Sequence, residues 1–329
     1  MRRTLRPVAS ILIPTWDSAA TLPLAVGSAI RQTVADIEIL IVGDGVTPRA
    51  RVVIESLVKL DDRLRFLDLP KAPGRGERNR HKGVLACRSD LVVYLADDDL
   101  LLPWHVEQIA EAFRTADFVQ SLNCYLDADD RLRLWPTDLA DPERRKWHLH
   151  TPPRNRVSIT GTAHSRELYL TLDPGWCEPE PGSWADLALW QQFFRRAELR
   201  ATTLRAISAV QWPAPLHRDR PADELAASYA RWEAIARSPE ARALVARLQE
   251  DTQWAELVRF SEEATDRMIM WQETARALSA AKNELSRPAI EIEELRASRL
   301  RRTTALMRAV SASIRRLGTG RGSRQHPPR

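Results

Sequence analysis

Three consecutive aspartates, Asp97, Asp98 and Asp99, stand between two apolar runs at residues 91–95 and 100–102. Adjacent carboxylates repel one another and lose hydration beside a core. A divalent cation, a ligand hydroxyl or helix N-termini would compensate them. One acid would suffice to cap the following helix, so we interpret the group as functional and leave a capping or metal-supporting role open for Asp99.

Two further groups could complete a site for a nucleotide diphosphate and a metal. Asp44 lies in a Gly-Asp-Gly turn, where its carboxylate could accept hydrogen bonds from a base or sugar, or simply stabilise the turn. The basic segment 78–82 offers charge suited to a diphosphate, or alternatively a solvated helix face. A hard cation such as Mg²⁺ or Mn²⁺ would bind through one or two carboxylates plus water and phosphate oxygens.

The elements that must position these residues alternate along the chain. Apolar runs predict strands, and amphipathic segments predict helices. The predicted strands are 8–13, 37–42, 64–67 and 91–95, and the predicted helices are 21–31, 49–60 and 103–114. This alternation predicts an α/β fold with a mainly parallel sheet covered by helices on both faces. Ligands of such sheets bind beyond the carboxyl ends of the strands, so the polar strand ends should converge on one crevice.

The second half of the chain has a different pattern. It predicts a hairpin turning at 127–130, an irregular Pro- and Trp-rich region at 136–183, and an amphipathic helix at 183–199. Residues 222–317 are helical by composition with breaks at Pro239 and Pro288, and 273–295 suits a helical hairpin or a short coiled coil. We therefore predict three parts: a domain at 1–218, a helical extension at 219–295, and a basic amphipathic helix with a disordered tail at 296–329.

Charge and composition exclude several classes. Ten arginines and no acid follow Glu294, so the net charge of +5 divides into a basic tail and a mildly acidic body. No run is long enough to span a bilayer, and the short apolar N-terminus is interpreted as a strand rather than a signal peptide, which predicts a cytoplasmic protein. Three cysteines without metal-like spacing predict reduced thiols. No Gly-x-Gly-x-x-Gly follows the first strand, which argues against a dinucleotide-dependent dehydrogenase.

Two stretches, VASILIPTWDSAATLPLAVGSAIRQTVADIEILIVGDG and GERNRHKGVLACRSDLVVYLADDDLLLPWHVEQI, resemble the GT-A domain of family 2 inverting glycosyltransferases. The resemblance covers roughly residues 7–212. It implies a Rossmann-like GT-A fold and transfer of a sugar from a nucleotide-diphosphate sugar to a glycan or lipid-linked acceptor. The segment 297–317 resembles a C-terminal segment of bacterial surface-polysaccharide glycosyltransferases, which implies peripheral membrane contact at the inner face of the membrane. Nothing in the body supports nucleic-acid binding.

The resemblance also implies roles for individual residues. The implied donor contacts are Pro14, Thr15, Asp44, Arg78, Asn79 and Asp97. The implied metal ligands are Asp98 and Asp99. The sequence WADLALW resembles the family motif that carries the catalytic base, which implies Asp186; without the resemblance a helix-capping role would be favoured. Trp176 and Trp184 precede this motif and are candidate acceptor contacts, although burial is the more frequent fate of a Trp.

Three positions depart from the family pattern. Gly43 replaces the first acid of the Asp-Asp-Gly turn, Ala96 stands where many members have an acid, and Ala185 replaces a Glu before the implied base. These departures motivate an alternative: a non-catalytic subunit that binds a nucleotide sugar or scaffolds a glycan-assembly complex. His164 is predicted to be a packed or hydrogen-bonded histidine rather than a ligand.

Overall fold

The computed structural model describes residues 6–284, 299–302 and 304–311. Its strands are β1 (Ala9–Thr15), β2 (Ile37–Asp44), β3 (Leu64–Leu69), β4 (Leu91–Tyr94), β5 (Leu100–Leu101), β6 (Phe118–Gln120), β7 (Cys124–Leu126), β8 (Leu132–Leu134), β9 (Thr162–Ser165), β10 (Ala201–Thr203) and β11 (Ala209–Val210). Its helices are α1 (Leu22–Ile30), α2 (Pro48–Val58), α3 (Glu77–Ala86), α4 (His105–Phe113), α5 (Pro142–Trp147), α6 (Arg166–Tyr169), α7 (Ala185–Phe194), α8 (Ala214–His217), α9 (Ala222–Arg237) and α10 (Ala241–Glu284).

A seven-stranded sheet forms the centre, in the order β10-β6-β9-β4-β1-β2-β3. The pairs β1–β2, β2–β3, β1–β4 and β6–β10 are parallel, whereas β9 is antiparallel to both β4 and β6. The mainly parallel α/β sheet is therefore confirmed. The prediction of an irregular region at 136–183 is wrong at β9, because the sequence Thr-Ala-His-Ser has few of the aliphatic residues that mark a buried strand.

Alternate residues of the strands supply cores on both faces of the sheet. Ile11 and Ile39 pack with the buried side of α1, α2 and α4, while Leu12 and Leu40 pack with α3 and α7. Helices thus cover both faces, and the polar strand ends at Thr15, Asp44 and the aspartate triplet lie beyond the core at one edge.

A third apolar cluster joins the hairpin β7–β8 to the C-terminal helices. Trp212, Tyr229 and Trp232 are buried in it, and Val245 of α10 adds to it. The hairpin confirms the predicted turn, in which Asp130 has φ of 62°. The break near Pro239 is also confirmed, since α9 ends at Arg237 and α10 begins at Ala241.

The chain divides into two compact units, Met1–Val258 and Arg259–Arg329. The predicted division at 218 and 295 stays a prediction. The described residues after Val258 are helical, up to Glu284 and again over 299–302 and 304–311. The predicted break at Pro288, the hairpin or coiled coil beyond residue 284 and the disordered tail lie outside the described residues.

Two absences concern only the parts of the chain described above. Within those ranges, no helix combines the length and apolar character needed to cross a membrane. Cys87 and Cys124 are buried, Cys177 is half-buried, and none of the three forms a disulfide.

Candidate active site

A cleft of about 640 Å³ lies at the carboxyl ends of β1 and β2, where the sheet order predicts a ligand site. We call it the first cleft. Its lining residues are Pro14, Thr15, Trp16, Asp17, Ser18, Val42, Asp44, Lys71, Gly74, Arg75, Gly76, Asn79, Arg80 and Asp97. It therefore brings together five of the six implied donor contacts, and Arg78 is the exception.

Asp44, at the end of β2, accepts hydrogen bonds from three groups of the protein. Its Oδ1 accepts from the Ala72 amide at 2.8 Å and from Asn79 Nδ2 at 2.6 Å, and its Oδ2 pairs with Lys71 Nζ. Burial would raise the pKa of Asp44, but the bonds from Lys71, Ala72 and Asn79 outweigh it and lower the pKa. Asp44 is therefore a fixed anion that ties α3 and the loop 70–76 to β2.

Two glycines allow that loop to approach the carboxylate closely. Gly76 has φ of 86°, and a Cβ atom there would lie 3.0 Å from Asp44 Oδ2. Gly45 has φ of 66°, and its Cβ would lie 2.6 Å from the Lys71 side chain. Residues with side chains rarely adopt such φ values, so both positions favour glycine.

Asp97 and Asp98 follow β4 and are half-buried. Burial raises the pKa of Asp97, although the hydroxyl groups of Thr15 and Ser18 act in the opposite direction. Burial and the charges of Asp99 and Asp97 raise the pKa of Asp98 to about 8. These two carboxyls are thus poorly compensated by the protein itself.

Both carboxylate oxygens of Asp99 accept hydrogen bonds from the protein. Its Oδ2 accepts from Thr160 Oγ1 at 2.5 Å, and its Oδ1 accepts from the Trp212 amide at 2.9 Å. Burial raises its pKa to about 6 despite these bonds. The capping role left open for Asp99 is wrong, because the cap of α4 is Trp104, five residues further on.

The residues present fit a divalent cation, although not as a cage made by the protein alone. Among the described residues, no three His, Cys, Asp or Glu side chains converge on a common ion position. Asp97 and Asp98 are nevertheless neighbouring desolvated carboxyl groups, and a bound cation would stabilise their ionised forms. A hard cation held by one or two carboxylates normally takes its remaining ligands from water and phosphate, which matches this donor set.

A second cleft of about 580 Å³ adjoins the first and shares Gly74, Arg75 and Arg80 with it. Asp186, in the first turn of α7, lines this second cleft. Its Oδ1 accepts from the Leu187 amide at 2.8 Å, and Asn155 Nδ2 lies 3.3 Å from its Oδ2. Burial raises the pKa of Asp186 to about 6, although the Leu187 amide and the Arg80 charge oppose the shift. A carboxylate with such a pKa can accept a proton near neutral pH.

The two candidate acceptor tryptophans have different environments. Trp176 is buried, and its Nε1 donates to Tyr94 Oη at 2.9 Å, so only part of its ring borders the second cleft. Trp184 is 50% exposed at the start of α7 and presents its ring to the same cleft. Of the two, Trp184 is therefore the better candidate for stacking on a sugar.

The basic helix α3 turns Arg80, not Arg78, toward the clefts. Arg78 is exposed and lines neither of them, so the structure does not bring it together with the other implied donor contacts. Arg80 lies one turn before the buried Val84 and so shares the face of α3 that packs on the sheet. The sequence placed Arg80 within the basic segment 78–82 without singling it out, and its spacing of four residues from Val84 was the available signal.

Sequence reasoning missed three residues of the first cleft. Trp16 is 55% exposed there, and Lys71 Nζ lies 5.5 Å from its ring centroid. Arg75 lies in the glycine-flanked loop before α3. A basic Gly-x-Gly loop leading into a helix N-terminus is a recognisable anion-binding signal, whereas nothing in the sequence marks Trp16 as exposed.

The three departures from the family pattern have different surroundings, and only that of Gly43 accounts for the residue present. A Cβ atom at Gly43 would lie 2.9 Å from the Phe66 ring and 3.0 Å from Val46, so Phe66 fills the space of a side chain there. The Ala96 amide donates to Thr160 Oγ1 at 2.9 Å, a bond that does not depend on the side chain. Ala185 packs against the core between α7 and the sheet.

His164 behaves as predicted. It is buried in β9, its Nδ1 donates to the Ser165 carbonyl at 3.0 Å, and its Nε2 accepts from Tyr94 Oη at 2.8 Å. Burial lowers its pKa to about 4, so it is a neutral packing residue.

Comparison with known proteins identifies the segment that carries the first cleft. The model of "Glycosyl transferase family 2" matches residues 10–168. This segment is a glycosyl transferase family 2 domain. The family 2 match includes Asp44, Asn79 and the aspartate triplet but ends before Asp186, so the candidate base lies outside it.

Several proteins resemble this family 2 domain. An uncharacterized glycosyltransferase of Nostoc sp. is 33% identical over 122 residues, which are 37% of this chain and 37% of that protein. The GalNAc(5)-diNAcBac-PP-undecaprenol beta-1,3-glucosyltransferase of Campylobacter jejuni is 28% identical over 96 residues, 29% of this chain and 31% of that one. The matched segment thus spans well under half of these relatives. The crystal structure of S. aureus TarS 1–349 has a TM-score of 0.50 at 13% identity, covering 74% of this chain and 70% of that one, and confirms the predicted GT-A fold.

Proposed function

We propose that this chain is an inverting glycosyltransferase, which moves a sugar from a nucleotide-diphosphate sugar to a glycan or lipid-linked acceptor in cell-surface polysaccharide synthesis. One observation carries the proposal: a cleft lined by Asp44 and Asp97 adjoins a cleft lined by Asp186, and the two share Arg80. A nucleotide donor in the first and an acceptor in the second would meet at this junction.

The first cleft suits the nucleotide part of the donor. The exposed Trp16 indole offers a face on which a base can stack, and the fixed Asp44 carboxylate offers an acceptor beside it. Lys71, Arg75 and the N-terminus of α3 supply positive potential for a diphosphate. Pro14, Thr15 and Asn79 shape the wall between them.

Asp186 would act as the general base in the second cleft. Its carboxylate takes the proton of the acceptor hydroxyl as the hydroxyl oxygen attacks the anomeric carbon of the donor sugar. Attack from the face opposite the leaving diphosphate gives inversion in one step. A pKa of about 6 leaves the group ionised at neutral pH and still basic enough to take the proton.

Asp98, with Asp97, would hold Mg²⁺ or Mn²⁺. When bound, the ion would supply positive charge for the diphosphate oxygens. Asp99 would support these residues through its bonds to Thr160 and Trp212 instead of binding the ion directly.

The basic C-terminal segment would give peripheral contact with an anionic membrane at the cytoplasmic face. Within 299–302 and 304–311 the helix carries exposed Leu300, Leu306 and Met307 among its arginines. Apolar residues flanked by arginines are typical of helices that bind lipid surfaces. Co-sedimentation with vesicles of anionic and of neutral lipid would test this part separately, with only the anionic vesicles retaining the protein.

The central experiment is a donor screen with the full chain. UDP-, GDP- and dTDP-sugars are added with Mn²⁺, and thermal unfolding is followed, because a ligand at about 100 times its Kd stabilises the native state by about 2.7 kcal/mol. The donor that binds is then incubated with lipid-linked saccharides, and the anomeric configuration of the product is determined by NMR. A product that retains the donor's configuration would refute the inverting mechanism.

A non-catalytic nucleotide-sugar-binding subunit remains the alternative, favoured by the Gly43, Ala96 and Ala185 departures. The same screen separates the two functions. Metal-dependent hydrolysis of any donor, even without an acceptor, would count against the alternative. Tight binding without turnover across a panel of acceptors would favour it.

A further inference from the structure

Arg80 occupies the junction of the two clefts and lines both. It lies in the first turns of α3, and its side chain is 20% exposed. A guanidinium at this position faces the space between the donor cleft and Asp186.

The charge of Arg80 is poorly compensated within the protein. Its Nε is buried and has no hydrogen-bond partner, and its ion pair with Glu77 is long, at 3.9 Å from Nη1 to Oε1. Burial lowers the pKa of Arg80, and the negative charges of Glu77, Asp186 and Asp44 oppose this shift without outweighing it. A largely buried cation without a close anion costs stability, and an anionic ligand at the junction would compensate it.

The indole ring of Trp176 contacts the guanidinium of Arg80. Arg80 Cζ lies 5.1 Å from the centroid of the Trp176 ring, within the range of a cation–π contact. Two tyrosines fix Trp176 by hydrogen bonds. Its Nε1 donates to Tyr94 Oη at 2.9 Å, and its backbone amide donates to Tyr169 Oη at 3.0 Å.

Strand β4 connects Trp176 to the aspartate triplet. Tyr94 is the last residue of β4 and lies three positions before Asp97. Its hydroxyl accepts from Trp176 and donates to His164, so both of its hydrogen-bonding directions are used. Strand β4 therefore positions Asp97 and Asp98, which suit a metal, and through Tyr94 it also positions the Trp176 ring that contacts Arg80.

We propose that Arg80 binds the terminal phosphate of the leaving nucleoside diphosphate, and that Trp176 and Tyr94 are positioning residues that aim it. The proposal rests on the proposed function. As the acceptor oxygen bonds to the anomeric carbon, the bond from that carbon to the phosphate oxygen breaks, and its electron pair stays on that oxygen. The acceptor proton goes to Asp186, and Arg80 neutralises the charge that grows on the diphosphate.

The first experiment compares Arg80→Met with wild type, using Lys82→Ala as a control that removes an exposed charge from the same helix. Calorimetry with Mn²⁺ measures the Kd of the nucleoside monophosphate and diphosphate of the base found in the donor screen. We expect Arg80→Met to weaken the diphosphate at least tenfold and to change the monophosphate less than twofold. Lys82→Ala should change neither.

Thermal unfolding and steady-state rates distinguish this role from a structural one. Without ligand, Arg80→Met should unfold at the wild-type temperature or above, because methionine keeps the packing on Trp176 and removes an uncompensated charge. Its kcat should fall about 100-fold or more. A lower unfolding temperature combined with unchanged diphosphate binding would assign Arg80 to structure and overturn the proposal.

The positioning residues are tested by a double-mutant cycle. Tyr94→Phe should lower kcat about tenfold with little change in donor KM, because the guanidinium stays charged but loses its fixed position. In Trp176→Phe, which lacks the Nε1 donor, the same tyrosine substitution should have no further effect on kcat. Additive effects would refute the connection.

The remaining outcomes separate this proposal from the one on which it rests. If wild type transfers sugar but Arg80→Met keeps its rate and diphosphate affinity within twofold, only the Arg80 assignment fails. If Arg80→Met raises the acceptor KM alone, or if Arg78→Ala rather than Arg80→Met loses diphosphate binding, the assignment is likewise wrong. If wild type neither binds a nucleotide nor transfers a sugar, the proposed function and this inference fail together.

Discussion

The carboxylates of Asp44 and of Asp98 lie at the ends of β2 and β4, and they differ in how the protein compensates their charge. Asp44 accepts bonds from Lys71, Ala72 and Asn79, and its pKa is lowered. Asp98 has like charges beside it, and its pKa is raised to about 8. The pKa of Asp186, which lines the second cleft, is raised to about 6. We infer that Asp44 is preorganised by the fold, whereas Asp98 and Asp186 need a cation or a proton to be stable.

The strongest test of this comparison is Asp186→Asn. The amide cannot take the acceptor proton, so kcat should fall by about 10²–10⁴, whereas the donor Kd should stay within a fewfold of wild type. Single-turnover transfer and calorimetry measure the two quantities. Transfer at near the wild-type rate would show that another group is the base.

The opposite behaviour is expected for Asp44→Asn. The new amide group would face Lys71 Nζ, so the loop 70–76 should loosen and the free energy of unfolding should fall by about 1–3 kcal/mol. Donor affinity should fall with it, because Lys71 and Arg75 lie in that loop. Urea unfolding and calorimetry check this pair of effects. Unchanged stability would mean that Asp44 is not the fixed anion inferred above.

The pH dependence of kcat follows from the raised pKa of Asp186. The group must be ionised to accept a proton, so kcat should rise tenfold per pH unit below about 6 and level off above it. Saturating Mn²⁺ would keep Asp97 and Asp98, the proposed metal ligands, ionised during the measurement. A kcat that is flat between pH 5 and 8 would contradict the assignment, provided that donor binding is also flat.

The smallest effect is expected for Asp98→Asn in the absence of metal. The folded pKa of about 8 exceeds the unfolded value, so ionising Asp98 costs stability, and that cost grows as pH rises from 4 to 8. At pH 8 the neutral amide should therefore raise the unfolding temperature by about 2–4 °C for each kcal/mol recovered. Adding Mn²⁺ should stabilise wild type but not the variant. Destabilisation by Asp98→Asn without metal would refute the comparison.

Local patterns predicted the parallel half of the fold well. The runs that became β1, β2, β3 and β4 are aliphatic, and the helices between them have clear apolar faces. β9 was missed because its stability comes from its two neighbours and from His164, whose imidazole is satisfied by Tyr94. Such a partner is separated from it by 70 residues and cannot be inferred from a local period.

Site residues were predictable where residue type and position at a strand end identified them, and harder to predict where the orientation of a side chain on its helix decided. The aspartate triplet and Asp44 followed from strand ends, whereas the choice of Arg80 over Arg78 depended on which face of α3 packs on the sheet, for which the spacing of Arg80 from Val84 was the single local sign. Gly43 illustrates a second limit, because the residue that explains it, Phe66, lies on the neighbouring strand. The compensation of each charge depends on such contacts between distant segments, so it too was beyond the sequence.

The antiparallel strand β9 also has a consequence for the order in which the chain is made. β4 and β6 are complete once residue 120 has been synthesised, but the strand that joins them ends at Ser165. Until then both strands present unpaired edges, which are prone to pair with other chains. Expression fragments that stop short of residue 165 should therefore aggregate, and any shortened version of the domain has to retain this strand.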